Sequence, residues 1–182
     1  MSKIPYAFAI ESIMYAMLCT RPDVSYPLSM MRRYQVDPGE GHWTTVKNIF
    51  KCLRRTKDMF LIYRGEEELS VKGYTDASFQ TDKDDSRSQS GFVFYLNGYA
   101  VSWKSSKQST VAYFTIEAEY IAASEAAKEA VWIKKFITEL GVVPSISDAI
   151  ELRCDNSRAI SQAKEPRSHH RSKHILRRYH LI

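Results

Sequence analysis

At 182 residues, 44% of them hydrophobic, the chain is too long and too apolar for a disordered tail, and it is sized for one or two small domains with cores. A net charge of +5 and a pI near 9.0 favour a polyanionic partner. Three cysteines, Cys19, Cys52 and Cys154, form no CxxC pair, which argues against a disulfide framework and for a reducing intracellular compartment, cytoplasmic or nuclear, over secretion.

Residues 4–58 read as helical. PYAFAIESIMYAMLC has apolar residues at helical spacing, Glu11 and Ser12 interrupt it, and no small-residue cleavage site follows. This predicts a buried helix, not a signal peptide or membrane span. RPD at 21–23 predicts a break, and a second helix is expected over about 24–34. PGEGHW opens a third, with Trp43, Val46, Ile49, Phe50 and Leu53 as its apolar stripe. Lys47, Lys51, Arg54 and Arg55 fall on the other side, as a solvated face or a phosphate-facing patch.

At MFLIYRGEEEL the texture changes to a short predicted strand and a charged turn, with a domain boundary near 66–68. LSVKGYTDASF, SGFVFYLNGYAVSWKSS and IELRCDN then carry strand-like cores. Asn97-Gly98 within the second of these predicts a hairpin. A long helix is predicted over about 115–140, stopping at Gly141, and its small residues AASEAA let it lie close to a sheet. DNSRAISQAK predicts a short helix entered through Asp155 or Asn156. A meander followed by a helical crossover implies a mixed sheet with helices packed on it.

Three carboxylates stand out. Asp76 falls at the predicted end of the first strand, as a turn former or as a functional group. Asp155 ends the last strand, as a helix cap or as a functional group. Glu119 borders the apolar stripe of the long helix, whereas Glu117 points more toward water. Glu119 either pays desolvation for a purpose, or snorkels to a lysine. Two strand ends and one helix turn can converge at a sheet edge, and clustered carboxylates of this kind suit Mg²⁺.

These stretches resemble the ribonuclease H domain of copia-type LTR-retrotransposon Pol polyproteins. The resemblance runs through YTDASF, DDSRSQSGFVFYLNGYAVSWKSSKQSTVA, EAEYIAASEAAKEAVWI, CDNSRAI and HHRSKHI. Upstream, IPYAFAIESIMYAMLCTRPDVSY and PGEGHW resemble the C-terminal part of the same polyprotein's reverse transcriptase. The family implies residues 1–66 as that helical part and 67–182 as an α/β, ribonuclease H-like mixed sheet flanked by helices. It implies Mg²⁺-dependent endonucleolytic cleavage of RNA in RNA–DNA hybrids, with two Mg²⁺ held by Asp76, Glu119 and Asp155. Candidate nucleic-acid contacts are Ser78, Ser86, Arg87, Lys104, Ser105, Lys107, Asn156, Arg171 and Lys173.

Departures from the family are also expected. Leu176 stands where an Asp is usual, and the domain reads as C-terminally truncated, without the last strand, the last helix and the fourth carboxylate they carry. Phe114 and Ile116 replace small hydroxyl residues before EAEY. No paired aspartates of the YxDD kind are found, so polymerase action is not predicted. His170 and His174 have a zinc-compatible spacing but no Cys or acidic partner nearby in sequence. The alternative to catalysis is a remnant that binds nucleic acid, or a protein-interaction module.

Overall fold

The computed structural model describes residues 4–65, 70–82, 84–141, 149–165 and 175. The chain divides into two compact units, Met1–Arg64 and Gly65–Ile182.

The first unit is helical: α1 (Tyr6–Cys19), α2 (Ser25–Met31) and α3 (Glu40–Arg55), with single 3₁₀ turns at Pro22–Val24 and Arg32–Tyr34. Tyr6, Ala9, Ile10 and Ile13 recur at helical spacing and pack on Val24, Leu28, Val46 and Ile49. The Tyr6 hydroxyl donates to the Met31 carbonyl at 2.9 Å, fixing α1 against the end of α2. At the predicted break, Arg21 grips Asp23 through two nitrogens, at 2.9 and 2.6 Å. The second helix is shorter than predicted because the chain tightens into the 3₁₀ turn after Met31. Trp43, Val46, Ile49 and Leu53 of α3 face the core as predicted, but Phe50 is 39% exposed.

Residues 59–65 form no strand, contrary to the reading of MFLIY. Met59, Phe60, Ile62 and Tyr63 are all exposed. β-propensity without a partner strand supplies no ladder hydrogen bonds, so the segment stays irregular.

The second unit is α/β. Strands β1 (Val71–Ser78), β2 (Gln89–Leu96), β3 (Tyr99–Lys107) and β4 (Glu151–Arg153) form one sheet in the order β3-β2-β1-β4. The first three make the antiparallel meander, and β4 joins β1 in parallel. The hairpin turn is Asn97-Gly98, with φ values of 51° and 84°, the left-handed pair that a two-residue I′ turn requires. Asn97 also accepts the Ser70 N–H through Oδ1 at 2.7 Å and donates its own N–H to Ser70 O at 2.9 Å. The hairpin tip is thereby tied to the start of β1.

Helix α4 (Thr115–Leu140) makes the crossover and stops at Gly141, whose φ of 63° places it in the left-handed region. Ala118, Ala122, Ala126 and Ala130 recur every fourth residue and are all buried. Their small side chains let the helix lie close to the sheet, where Phe94, Ala126 and Ile133 pack with Leu152. Gly73 of β1 belongs to the same contact: a Cβ there would collide with Phe94 and come within 2.9 Å of Leu152. Helix α5 (Ser157–Lys164) follows β4. Among the described residues, no helix is long and apolar enough to cross a membrane. The expected loss of a last strand and helix lies outside the described residues.

Candidate metal centre

Three elements bring the site together. β1 and β4 run parallel, with Tyr74 paired to Arg153 at the end of the shared register. Carrying that register two residues on sets Asp76 level with Asp155. Asp76 lies inside β1, opposite Gly91 of β2, and not at the strand end as predicted. Asp155 follows β4 directly, in a bend. It does not cap α5: Asn156 does, its Oδ1 accepting the N–H groups of Arg158 and Ala159, both at 3.1 Å. The capping role that competed for Asp155 is therefore already filled, and its carboxylate stays exposed.

Glu119 enters from the second turn of α4 and is only 8% exposed. Its carboxylate accepts the Ala77 N–H, one residue beyond Asp76. The Cys154 thiol lies 3.9 Å from Glu119 Oε2, as a weak donor. Burial pushes the Glu119 carboxyl up to about 7, and the charges of Asp76 and then Asp155 add to it, against the opposing Ala77 hydrogen bond. Burial, followed by the same three carboxylates, raises the Cys154 thiol, which therefore stays protonated.

The ligating atoms of Glu119, Cys154 and Asp155 all lie within 4.8 Å of one another. Asp76 is outside this tight group, yet its charge is the second cause of the Glu119 shift. The donor set suits a hard divalent cation: the oxygens come from three carboxylates, and the one sulfur is held as a thiol. A buried carboxyl raised by its neighbours' charges is what a cation would relieve.

Glu117, predicted to face water, is 7% exposed, and it accepts the Tyr113 N–H at 2.9 Å. That bond anchors the start of α4, so its burial is compensated. Phe114 is the N-cap residue of α4 and is 66% exposed, and Ile116 is half-buried.

The candidate contact residues differ in availability. Ser78 ends β1 opposite Gln89. Ser86 is exposed, with a φ of 55°. Arg87 lies 3.3 Å from Asp85. Lys104 is exposed, and Ser105 Oγ accepts the Gln89 amide at 2.8 Å. Lys107 is committed elsewhere: its Nζ lies 2.6 Å from the buried Asp82 and 2.8 Å from Asp85, which makes it a brace for the 79–88 loop and not an open phosphate contact. Asn156 is the α5 cap described above. Arg171 and Lys173, with His170, His174 and Leu176, lie outside the described residues.

Sequence reasoning missed Cys154 as a neighbour of Glu119. The strand alternation set it beside Asp155, but nothing local revealed that α4 would pass over it. The Ala77 N–H could not be foreseen either, because its availability depends on where β4 ends.

The geometry defines an α/β protein whose parallel strand pair and crossover helix gather carboxylates from within β1, from α4 and from the bend after β4. Over all 182 residues the chain is 43% identical to a retrovirus-related Pol polyprotein from transposon TNT 1-94 of Nicotiana tabacum, covering 13% of that polyprotein. It is 34% identical over 177 residues to the Pol polyprotein from transposon RE2 of Arabidopsis thaliana, covering 12% of it. It is 40% identical over 133 residues to secreted RxLR effector protein 161 of Plasmopara viticola, covering 94% of that protein and 73% of this chain. No family model matches the chain, and no solved structure does. The chain belongs to the retrovirus-related Pol polyproteins of copia-type transposons.

Proposed function

We propose that the second unit is a ribonuclease H-like domain that cleaves the RNA strand of RNA–DNA hybrids endonucleolytically with Mg²⁺. One observation carries this reading: the buried Glu119 carboxylate of α4 and Asp155, in the bend after β4, bring their ligand atoms within 4.8 Å of each other, and the charge of Asp76 reaches Glu119 from β1. Kinship with Pol polyproteins and the mixed sheet with its crossover helix support it.

Asp76, Glu119 and Asp155 would hold two Mg²⁺, which when bound supply an activated water and stabilise the leaving oxygen of a phosphodiester. The chain's own residues do the rest. The Ala77 N–H fixes one orientation of Glu119. The protonated Cys154 thiol lies against Glu119 Oε2 and limits its rotation. Asp76, Gly91 and Ser105 share one row across β1, β2 and β3, and directly opposed residues share a face of the sheet. With no side chain at Gly91, a sugar–phosphate backbone has a flat strip between the carboxylate and the hydroxyl. Ser78, Ser86 and Ser105 offer hydroxyls to 2′-OH groups and phosphates, Lys104 and Arg87 offer charge, and the Asn156 amide NH₂ is a further donor. Arg171 and Lys173 rest on the resemblance alone.

The test is incubation of the pure chain with a labelled RNA–DNA hybrid and Mg²⁺, beside Asp76→Asn. Cleavage abolished by the substitution is expected. Equal cleavage in both samples would mark a contaminant and remove the claim.

The near-complete coverage of the effector protein favours a second reading, in which this segment works apart from a polyprotein as a non-catalytic module. Hybrid binding without cleavage, weakening steeply with salt, would select a nucleic-acid module. Binding insensitive to salt would select a protein-interaction one.

A further inference from the structure

Gln108 follows β3 immediately and is fully buried. Its backbone N–H donates to Ser88 O at 2.8 Å. Its side-chain Nε2 donates twice, to Ser90 Oγ at 2.9 Å and to the Ala118 carbonyl at 2.8 Å. Ser88 Oγ in turn accepts the Gln80 N–H at 3.1 Å, from the loop that leaves β1. One residue thus joins the end of β3, the start of β2 and the first turns of α4. Among the described residues Gln108 Oε1 has no hydrogen-bond partner, and a half-satisfied buried amide costs more than an apolar side chain of the same size. What the amide supplies is position, because Ala118 is the residue before Glu119.

We propose that Gln108 is a positioning residue for the carboxylate centre. Its bond to the Ala118 carbonyl sets the height and rotation of α4 over the sheet. That setting delivers Glu119 to the Ala77 N–H and keeps it within reach of Asp76 and Asp155. The consequence for metal binding rests on the Mg²⁺ reading above, whereas the geometry does not.

The experiment compares the full chain with Gln108→Met, which keeps the volume and removes both side-chain donors, and with Ser124→Ala. Ser124 is a buried α4 hydroxyl with no partner among the described residues and serves as the control for polar loss from the same helix. Two quantities are read: Mg²⁺ affinity by calorimetry, and hydrogen exchange of the Ala77 amide against that of Phe94. Gln108→Met is expected to weaken Mg²⁺ by about tenfold, the lower end of what loss of a group supporting a metal ligand costs. It is expected to speed Ala77 exchange by about tenfold while Phe94 is unchanged. Ser124→Ala leaves both as in the parent. A folded Gln108→Met with parental affinity and parental Ala77 exchange overturns the proposal. If the parent chain binds no Mg²⁺, the metal reading falls, and Ala77 exchange alone decides the positioning role. If Gln108→Met does not fold, Gln108→Asn, which keeps the amide one methylene short of Ala118, is read in the same two ways.

Discussion

The Glu119 side chain of α4 accepts a hydrogen bond from the Ala77 backbone of β1. Ala77 lies beyond Tyr74, the last residue of β1 that pairs with β4. The carboxylate of a crossing helix thus satisfies backbone that the short parallel neighbour leaves open, and it arrives beside Asp76 in doing so. A backbone requirement of the sheet and the assembly of the carboxylate centre are met by one contact.

The raised Glu119 carboxyl gives the metal-free chain a distinctive pH dependence. Its value moves from 4.5 to about 7 on folding, so between these limits the folded state binds the proton and the unfolded state has lost it. This contribution is present at low pH and is lost as pH rises through about 7. Denaturant unfolding without metal should show it as a fall in stability across that window, obtained as the difference from Glu119→Gln, which has no such slope. Mg²⁺ should oppose the fall, since its ligands must be deprotonated.

Gly73→Ala tests the packing of the sheet beneath α4. The added methyl meets Phe94, which is fully buried, and Leu152. Overpacking of this kind should cost about 1–3 kcal/mol, read by denaturant unfolding. Trimming Leu152 to Ala in the same chain should recover less than the whole, since Phe94 still obstructs.

Lys107→Met tests the brace on the 79–88 loop. It leaves Asp82, which is 7% exposed, without its cation. The expected loss is about 2 kcal/mol, below that for a fully buried pair because the lysine keeps some contact with water. Adding Asp82→Asn should restore part of it. Calorimetric melting of the three variants checks the order.

Much of the fold was legible because local chemistry wrote it. Asn97-Gly98 encodes a turn that few other pairs can make, and Gly141 stops α4 where its side-chain-free backbone permits φ of 63°. The alanine ladder of α4 announced a close-packed helix. What failed was decided at a distance. MFLIY has strand composition, but a strand exists only with a partner. Glu117 looked solvent-facing on a helical wheel, yet it is buried because the turn before α4 folds back to offer the Tyr113 N–H. The two lysines of β3 looked alike in sequence, and only the fold of the neighbouring loop separates the committed Lys107 from the exposed Lys104. The carboxylates were individually ambiguous, and β1–β4 pairing brings two of them to one level.

Gly91→Val probes the strip between Asp76 and Ser105. A Cβ at Gly91 has ordinary contacts, 3.8 Å from Lys104 O and 4.0 Å from Asp76 O, so the sheet should accept it. Melting should be nearly unchanged. Hybrid affinity should fall on the order of tenfold, the equivalent of about 1.4 kcal/mol, because the branched side chain stands where the nucleic-acid backbone is proposed to lie. A gel-shift titration at fixed salt measures it.

The most direct measurement is a Mg²⁺ titration of the ¹³C-labelled chain, following the side-chain carboxyl signals of Asp76, Glu119 and Asp155. A shared centre requires that all three shift together with one binding isotherm, and that Asp76→Asn weakens the shifts of the other two. Independent isotherms, or an Asp76 signal that ignores the metal while Glu119 and Asp155 respond, would contradict a shared centre.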